Sequence, residues 1–153
     1  MVYKPRSIRN NNPFSLEYDE ANPIKWEGLA TPPSDGEYDS NGNLPQAVFT
    51  SMYYGIRAGV DNLLHQIGKG LDTPTKLFAV YAPAANGNDP VAYAKSVADD
   101  LGITPDTPFT LPGQLPGLAA AVVKMETGWS LSRLEEPSII TAAIQSGQDQ
   151  AEA

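Results

Sequence analysis

The amino-acid sequence predicts a mainly α domain with a small loop or β-hairpin lobe near its N-terminus. Three observations predict it. From residue 50 onward, apolar residues recur with the 3.6-residue period of helices. Before that point the chain is dense in Asn, Pro, Gly and Asp, the residues of turns. With 41% hydrophobic and 18% charged residues, the 153-residue chain has the composition of one globular core rather than of a disordered segment. Residues 1–146 are expected to form that domain, and 147–153 a polar, flexible tail.

In the first half, Asn10-Asn11-Asn12-Pro13, Asn22-Pro23, Thr31-Pro32-Pro33-Ser34-Asp35-Gly36 and Asp39-Ser40-Asn41-Gly42-Asn43 mark successive turns. Asn41-Gly42 suits a hairpin between short strands near Tyr38 and Ala47-Val48-Phe49, but residues 30–44 read more simply as a polar surface loop. Ile56, Val60, Leu63, Leu64 and Ile67 then fall on one helical stripe, with Thr50 or Ser51 as cap and Gly68 and Gly70 as stop. Thr73 to Val80 reads as a shorter helix. Asp89-Pro90 supplies an N-cap and a first-turn proline for a helix with Ala94, Val97, Ala98 and Leu101 on one face, ended by Gly102. Residues 103–114 form a Pro-rich connector. A helix from about Pro116 to Met125 turns Leu118, Ala121, Val122 and Met125 inward, and Pro137 opens a last helix through Ile139, Ile140, Ala143 and Ile144.

Composition excludes several classes of function. The formal net charge is −8, with ten basic residues scattered among eighteen acids, so no phosphate-tracking surface and no nucleic-acid partner is expected. Cysteine is absent, which removes disulfides, thiolate metal sites and a cysteine nucleophile. A single histidine, His65, cannot build a usual zinc site, and no metal or other cofactor is expected. No apolar run reaches the length of a membrane span, so no membrane insertion is expected. The polar start with Lys4, Arg6 and Arg9 is not expected to act as a signal peptide.

Two segments carry groups suited to chemistry. In Ala120-Ala121-Val122-Val123-Lys124-Met125-Glu126-Thr127-Gly128-Trp129-Ser130 an apolar helix ends in a carboxylate, then a glycine turn and an indole. Unpaired helix-end carbonyls and an apolar wall both disfavour the charged carboxylate, and a carboxyl kept protonated can act as a general acid. Trp129 offers a flat face to a sugar ring. Read locally, Glu126 is equally at home as a solvated helix-end acid and Trp129 as a core plug. At the other end, Arg9 to Pro13 presents consecutive amides, either an Asx-turn loop or a set of partners for N-acetyl and hydroxyl groups. Glu17, Asp19 and Glu20 follow it as candidates for a second carboxylate. Asn86-Gly87-Asn88-Asp89 has part of a calcium-loop pattern without its terminal Glu, and Asp89 is accounted for as a cap. Glu135-Glu136 suit the dipole at a helix N-terminus.

Met125-Glu126-Thr127-Gly128-Trp129-Ser130 resembles the Glu-Ser-Gly-Trp-Gly segment of flagellar-type N-acetylglucosaminidases, lysozyme-like enzymes. Asn11-Asn12-Pro13-Phe14-Ser15-Leu16, Trp26-Glu27-Gly28 and Phe49 to Arg57 resemble their later segments, but here the Glu segment comes last, as in a circular permutation. The chain also resembles a group of phage virion and lysis proteins that begin Arg-Asn-Asn-Asn-Pro-Gly-Asn. The matching stretches are Arg9 to Pro13, Gly55-Ile56-Arg57-Ala58, Tyr81-Ala82-Pro83 with Asn88-Asp89, Tyr93, and Ala121 to Gly128. Phe14-Ser15 stands where that group has Gly-Asn, and Tyr81 stands where it has Trp.

The resemblance implies a lysozyme-like helical domain that cleaves the β-1,4 glycan backbone of peptidoglycan. Glu126 would be its general acid, and Asn11, Asn12, Tyr54, Tyr81, Trp129 and Trp26 would line its groove. A second carboxylate nearby would give hydrolysis. Without one, attack by the muramyl 6-hydroxyl would leave an anhydro sugar, as in lytic transglycosylases. The implied partners are glycan strands and other virion proteins, and the implied location is the virion, or the host cytoplasm before delivery to the wall. A different class stays open beside it: a non-catalytic tail or capsid accessory protein that keeps the fold.

Overall fold

The computed structural model of the chain describes residues 3–83 and 87–153. Asn86, the first residue of the partial calcium-loop pattern, lies outside them. Among the described residues the protein is mainly helical, with one small antiparallel sheet. Its elements are α1 (Arg6–Arg9), β1 (Leu29–Ser34), β2 (Ala47–Phe49), α2 (Met52–Gly68), α3 (Pro74–Tyr81), α4 (Pro90–Leu101), α5 (Leu115–Thr127), a 3-10 turn (Leu131–Arg133) and α6 (Pro137–Glu152). None of these helices is long and apolar enough to cross a membrane.

The helices form where periodicity and caps coincide. On α2, Ile56, Val60 and Leu63 are fully buried, while Leu64 and Ile67 close the edge of the stripe. The Asp89 carboxylate accepts the Ala92 N–H and Gly102 takes the left-handed conformation, so α4 is bounded as its sequence implies. The apolar helix α5 passes through the core with Leu118, Ala119, Ala121, Val122 and Val123 buried. Met125, expected inward, is instead 39% exposed; the inward face of α5 is carried by Leu118, Ala119, Ala121, Val122 and Val123.

The tail expected from Gly147 is helical rather than loose: α6 continues to Glu152. Gly147 is buried, and a Cβ there would come within 2.6 Å of the Arg57 carbonyl and 2.8 Å of Val60 Cβ. The missing side chain thus lets α6 lie close against α2. Arg57 seals the contact, donating to Ser146 Oγ at 2.8 Å and Gln150 Oε1 at 2.9 Å.

The N-terminal lobe departs from the expected hairpin. β2 lies where the sequence puts it, but its partner is β1, paired through Leu29–Phe49 and Ser34–Ala47 with an irregularity between. The strand expected near Tyr38 is absent, and Tyr38 is 67% exposed. Asn41-Gly42 does sit in a turn, closed by a side chain rather than a strand ladder: Asp39 Oδ1 accepts the backbone N–H groups of Asn41 and Asn43.

An ion pair ties this lobe to α1. Arg6 donates to both oxygens of Asp35, at 2.6 and 2.9 Å, and Asp35 also accepts from Asn10 Nδ2 and from the Glu37 and Gln46 N–H groups. Burial opposes ionisation of Asp35. The hydrogen bonds from Arg6, Glu37 and Asn10 outweigh it and hold the carboxyl well below the usual carboxylate range. A depressed folded pKa adds stability above the unfolded value, and that stability is lost as pH falls through the folded one. Asp35→Asn is therefore expected to cost about 3 kcal/mol at neutral pH. Urea unfolding should show the deficit shrinking as the pH drops below about 4.

Candidate active site

Where the N-terminal lobe meets the helices, the structure leaves a cavity of about 400 Å³, within the usual size range of ligand pockets. One wall comes from the lobe: Ser15, Leu16 and Glu17, with Asn43, Leu44 and Gln46. The opposite wall comes from Asn62 and Gln66 of α2, from Tyr81 at the end of α3 with Ala82 and Pro83 after it, and from Glu126 of α5. The two ends of the sequence therefore meet here.

Glu126 is mostly buried beside its neighbours. Tyr93, on α4, donates its hydroxyl to Glu126 Oε2 at 2.8 Å, and Ser15 lines the same cavity from the lobe. Burial raises the Glu126 pKa above the ordinary carboxylate range, and the bond from Tyr93 draws it partly back. Tyr93 stacks on Phe78, with ring centroids 4.4 Å apart. Burial and the nearby Glu126 charge push the phenols of Tyr93 and Tyr81 far up, so both remain O–H donors. The Tyr81 hydroxyl donates to the Phe14 carbonyl, pinning the lobe to the end of α3.

Glu17 lies at the rim of the cavity and is more exposed than Glu126. Residual burial raises its pKa, a hydrogen bond from the Leu44 N–H opposes this, and the Asp39 charge adds to it. The cavity thus holds the carboxyls of Glu126, Glu17 and Asp39, with the amides of Asn43, Gln46, Asn62, Gln66 and Asn88 around them. Such a site can donate a proton from Glu126 and bind neutral hydroxyl and amide groups. Among the described residues, no cluster of His, Asp and Glu is arranged to hold a metal ion. His65 is exposed on α2, its Nδ1 2.9 Å from Asp61 Oδ1.

Of the groove residues expected from sequence, Tyr81 lines this cavity with Glu126; the others lie elsewhere. Asn12 is fully buried and satisfied by the backbone: its Nδ2 donates to the Leu16 and Ala47 carbonyls, and its Oδ1 accepts the Leu16 N–H, all at 2.9 Å. Asn11, at φ +51°, donates to the Phe49 carbonyl at 3.0 Å. These amides build the lobe and leave no donor for a ligand at Asn12. The Tyr54 ring covers Gly28 and meets Tyr53 edge-on at 5.2 Å. Trp26 leans on Phe49 in the lobe, 6.1 Å between ring centroids. Trp129 lies under the Arg133 guanidinium, 3.6 Å from the ring centroid, so the cover expected of its indole over Glu126 comes from Tyr93 and Tyr81 instead. Ser15 and Tyr93 were not among the expected groove residues. Tyr93 is one of the positions matched to the phage group, whereas Ser15 stands where that group has Asn.

The chain is 29% identical to Protein P5 of Pseudoalteromonas phage PM2 over 124 residues, spanning 80% of this chain and 71% of that protein. It is thus similar in sequence to a bacteriophage protein. No protein-family profile matches it.

Proposed function

We propose that the protein is a bacteriophage peptidoglycan-cleaving domain of lysozyme-like type, with Glu126 as general acid. The observation that carries this reading is the placement of Glu126: a mostly buried carboxyl whose pKa burial raises, held by Tyr93 and facing a polar cavity. In the proposed step Glu126 gives its proton to the bridging oxygen as the glycosidic bond breaks and positive charge develops at the anomeric carbon. Cavity amides hold the N-acetyl and hydroxyl groups of the sugar. Tyr81 supplies an aromatic wall. The similarity to a phage protein supports a place in the virion, or in the host cytoplasm before delivery to the wall.

The test is digestion of purified murein by the wild-type chain and by Glu126→Gln. Cleaved muropeptides from the first and intact murein from the second are expected. Intact murein with the wild type as well would favour the other class, a virion assembly protein that keeps the fold without the chemistry.

The product turns on Glu17. As a second carboxylate lining the cavity, it is our candidate to activate an attacking water, which would give hydrolysis rather than an anhydro sugar. Mass spectrometry of the products should find reducing ends with wild type. With Glu17→Gln, turnover should fall by about 10²-fold. Anhydro ends formed at full rate by that variant would exclude Glu17 from the reaction.

A further inference from the structure

Of the side-chain amides that line the cavity, three are already engaged. Gln46 Oε1 accepts from Asn10 Nδ2 at 3.2 Å, and Gln46 Nε2 donates to Ser7 Oγ at 3.0 Å. Asn43 Nδ2 donates to the Asp39 carboxylate, and Asn88 Nδ2 reaches the Pro83 carbonyl at 3.4 Å. Asn62 and Gln66 differ. Among the described residues neither of these side chains has a hydrogen-bond partner, although both are half-buried and both line the cavity.

Their spacing suits a single ligand group. They stand four residues apart on α2, so they are neighbours on one face of the helix, with Cβ atoms about 6 Å apart. Each amide offers both a donor and an acceptor. Together they can satisfy a secondary amide: the oxygen of one accepts its N–H, while the NH2 of the other donates to its C=O. The cavity also has an apolar surface. Val80 lines it while 53% exposed, with Ala82 and Pro83 in the same wall. A ligand that supplies hydrogen-bond partners to the two amides and an apolar cover to Val80 gains on both counts. An acetamido group has the N–H, the C=O and the methyl that this requires, and a hydroxyl lacks the last two.

We propose that Asn62 and Gln66 form the subsite that selects N-acetylated sugars, with Val80 against the acetyl methyl. Both are specificity-determining residues: they read the 2-substituent of a sugar ring and take no part in breaking the bond. In naming a sugar this rests on the function proposed above, and it deepens that reading by assigning the selection to two of the cavity's amides.

Binding is measured on the full chain carrying Glu126→Gln, so that a bound sugar is not cut. Chitotriose carries 2-acetamido groups, and cellotriose is the same backbone with 2-hydroxyls. Chitotriose should shift the side-chain NH2 resonances of Asn62 and Gln66 in NMR spectra and bind about tenfold more tightly than cellotriose. Adding Asn62→Ala or Gln66→Ala should weaken chitotriose binding by about tenfold and leave cellotriose binding as it was. Both variants should melt at the parent's temperature or slightly above it, because no partner within the protein is lost and alanine is the better helix former. Equal affinity for the two sugars, chitotriose binding unchanged by both substitutions, or no chitotriose binding at all overturns the proposal. Shifts at Asn62 and Gln66 produced by an alanine-containing murein stem peptide, and not by chitotriose, would move the contact to the peptide and overturn it too. The two readings fail separately. Intact murein after treatment with wild type, with the preference for chitotriose kept, would defeat cleavage and leave this subsite standing, whereas cleavage without that preference would do the reverse.

Discussion

Glu126→Gln is expected to lower murein cleavage by about 10³-fold, within the range for loss of a general acid, without lowering the melting temperature at neutral pH. Glutamine keeps an acceptor for the Tyr93 hydroxyl, so that hydrogen bond survives the change. The stability effect has a definite sign. Glu126 has a raised folded pKa, so its favourable contribution is complete below the unfolded pKa and is lost as pH rises through the folded one. As pH rises through that folded pKa, the wild type takes on the cost of ionising a buried carboxyl, and the amide does not. The variant should therefore melt at the same or a higher temperature at pH 7, with its relative position falling on acidification. Full cleavage by Glu126→Gln would remove this carboxyl from the chemistry.

Gly55→Ala is expected to be the most damaging conservative change on the helical side of the lobe contact. A Cβ on Gly55 would sit 1.8 Å from the Asn11 carbonyl oxygen and 3.0 Å from Pro13 Cδ. The obstruction is backbone, so no rotamer change relieves it, and the Asn11–Phe14 segment must lift off α2. Overpacking of this kind costs about 3 kcal/mol, or roughly 10 °C in melting temperature for a domain of this size. Since Ser15 follows that segment, cleavage should fall as well. Gly68→Ala is the control: it lies at the end of the same helix with nothing within 4 Å of the added carbon, and helix propensity predicts unchanged or slightly higher stability. Equal melting temperatures for the two variants would mean that the lobe does not rest on α2 as described.

The helices were legible because their signals are local. Ile56, Val60 and Leu63 repeat at helical spacing, and Asp89-Pro90 and Gly102 mark both ends of α4 within a few residues of one another. β1 was hidden because Thr31-Pro32-Pro33 has no alternating pattern, and its pairing depends on a contact with β2 some fifteen residues away. The true end of α6 was hidden for the same kind of reason. Gly147 reads as a helix stop until α2 is placed beside it, where the absent side chain is what permits close packing.

At the site, Glu126 and Tyr81 were legible as residue types in a recognisable order. The asparagines were misjudged because an amide's capacity for hydrogen bonding does not reveal its partner. Asn12 spends that capacity on Leu16 and Ala47, and Asn11 on Phe49. Ser15 and Tyr93 belong to different elements that converge only in three dimensions, so no spacing rule links either to Glu126.

The two indoles give the molecule a built-in pair of optical reporters. Trp26 rests on Phe49 within the lobe, whereas Trp129 lies beneath Arg133 just beyond α5. Variants keeping one or the other would emit from opposite sides of the cleft, so fluorescence can follow separation of the two halves independently of the melting of either.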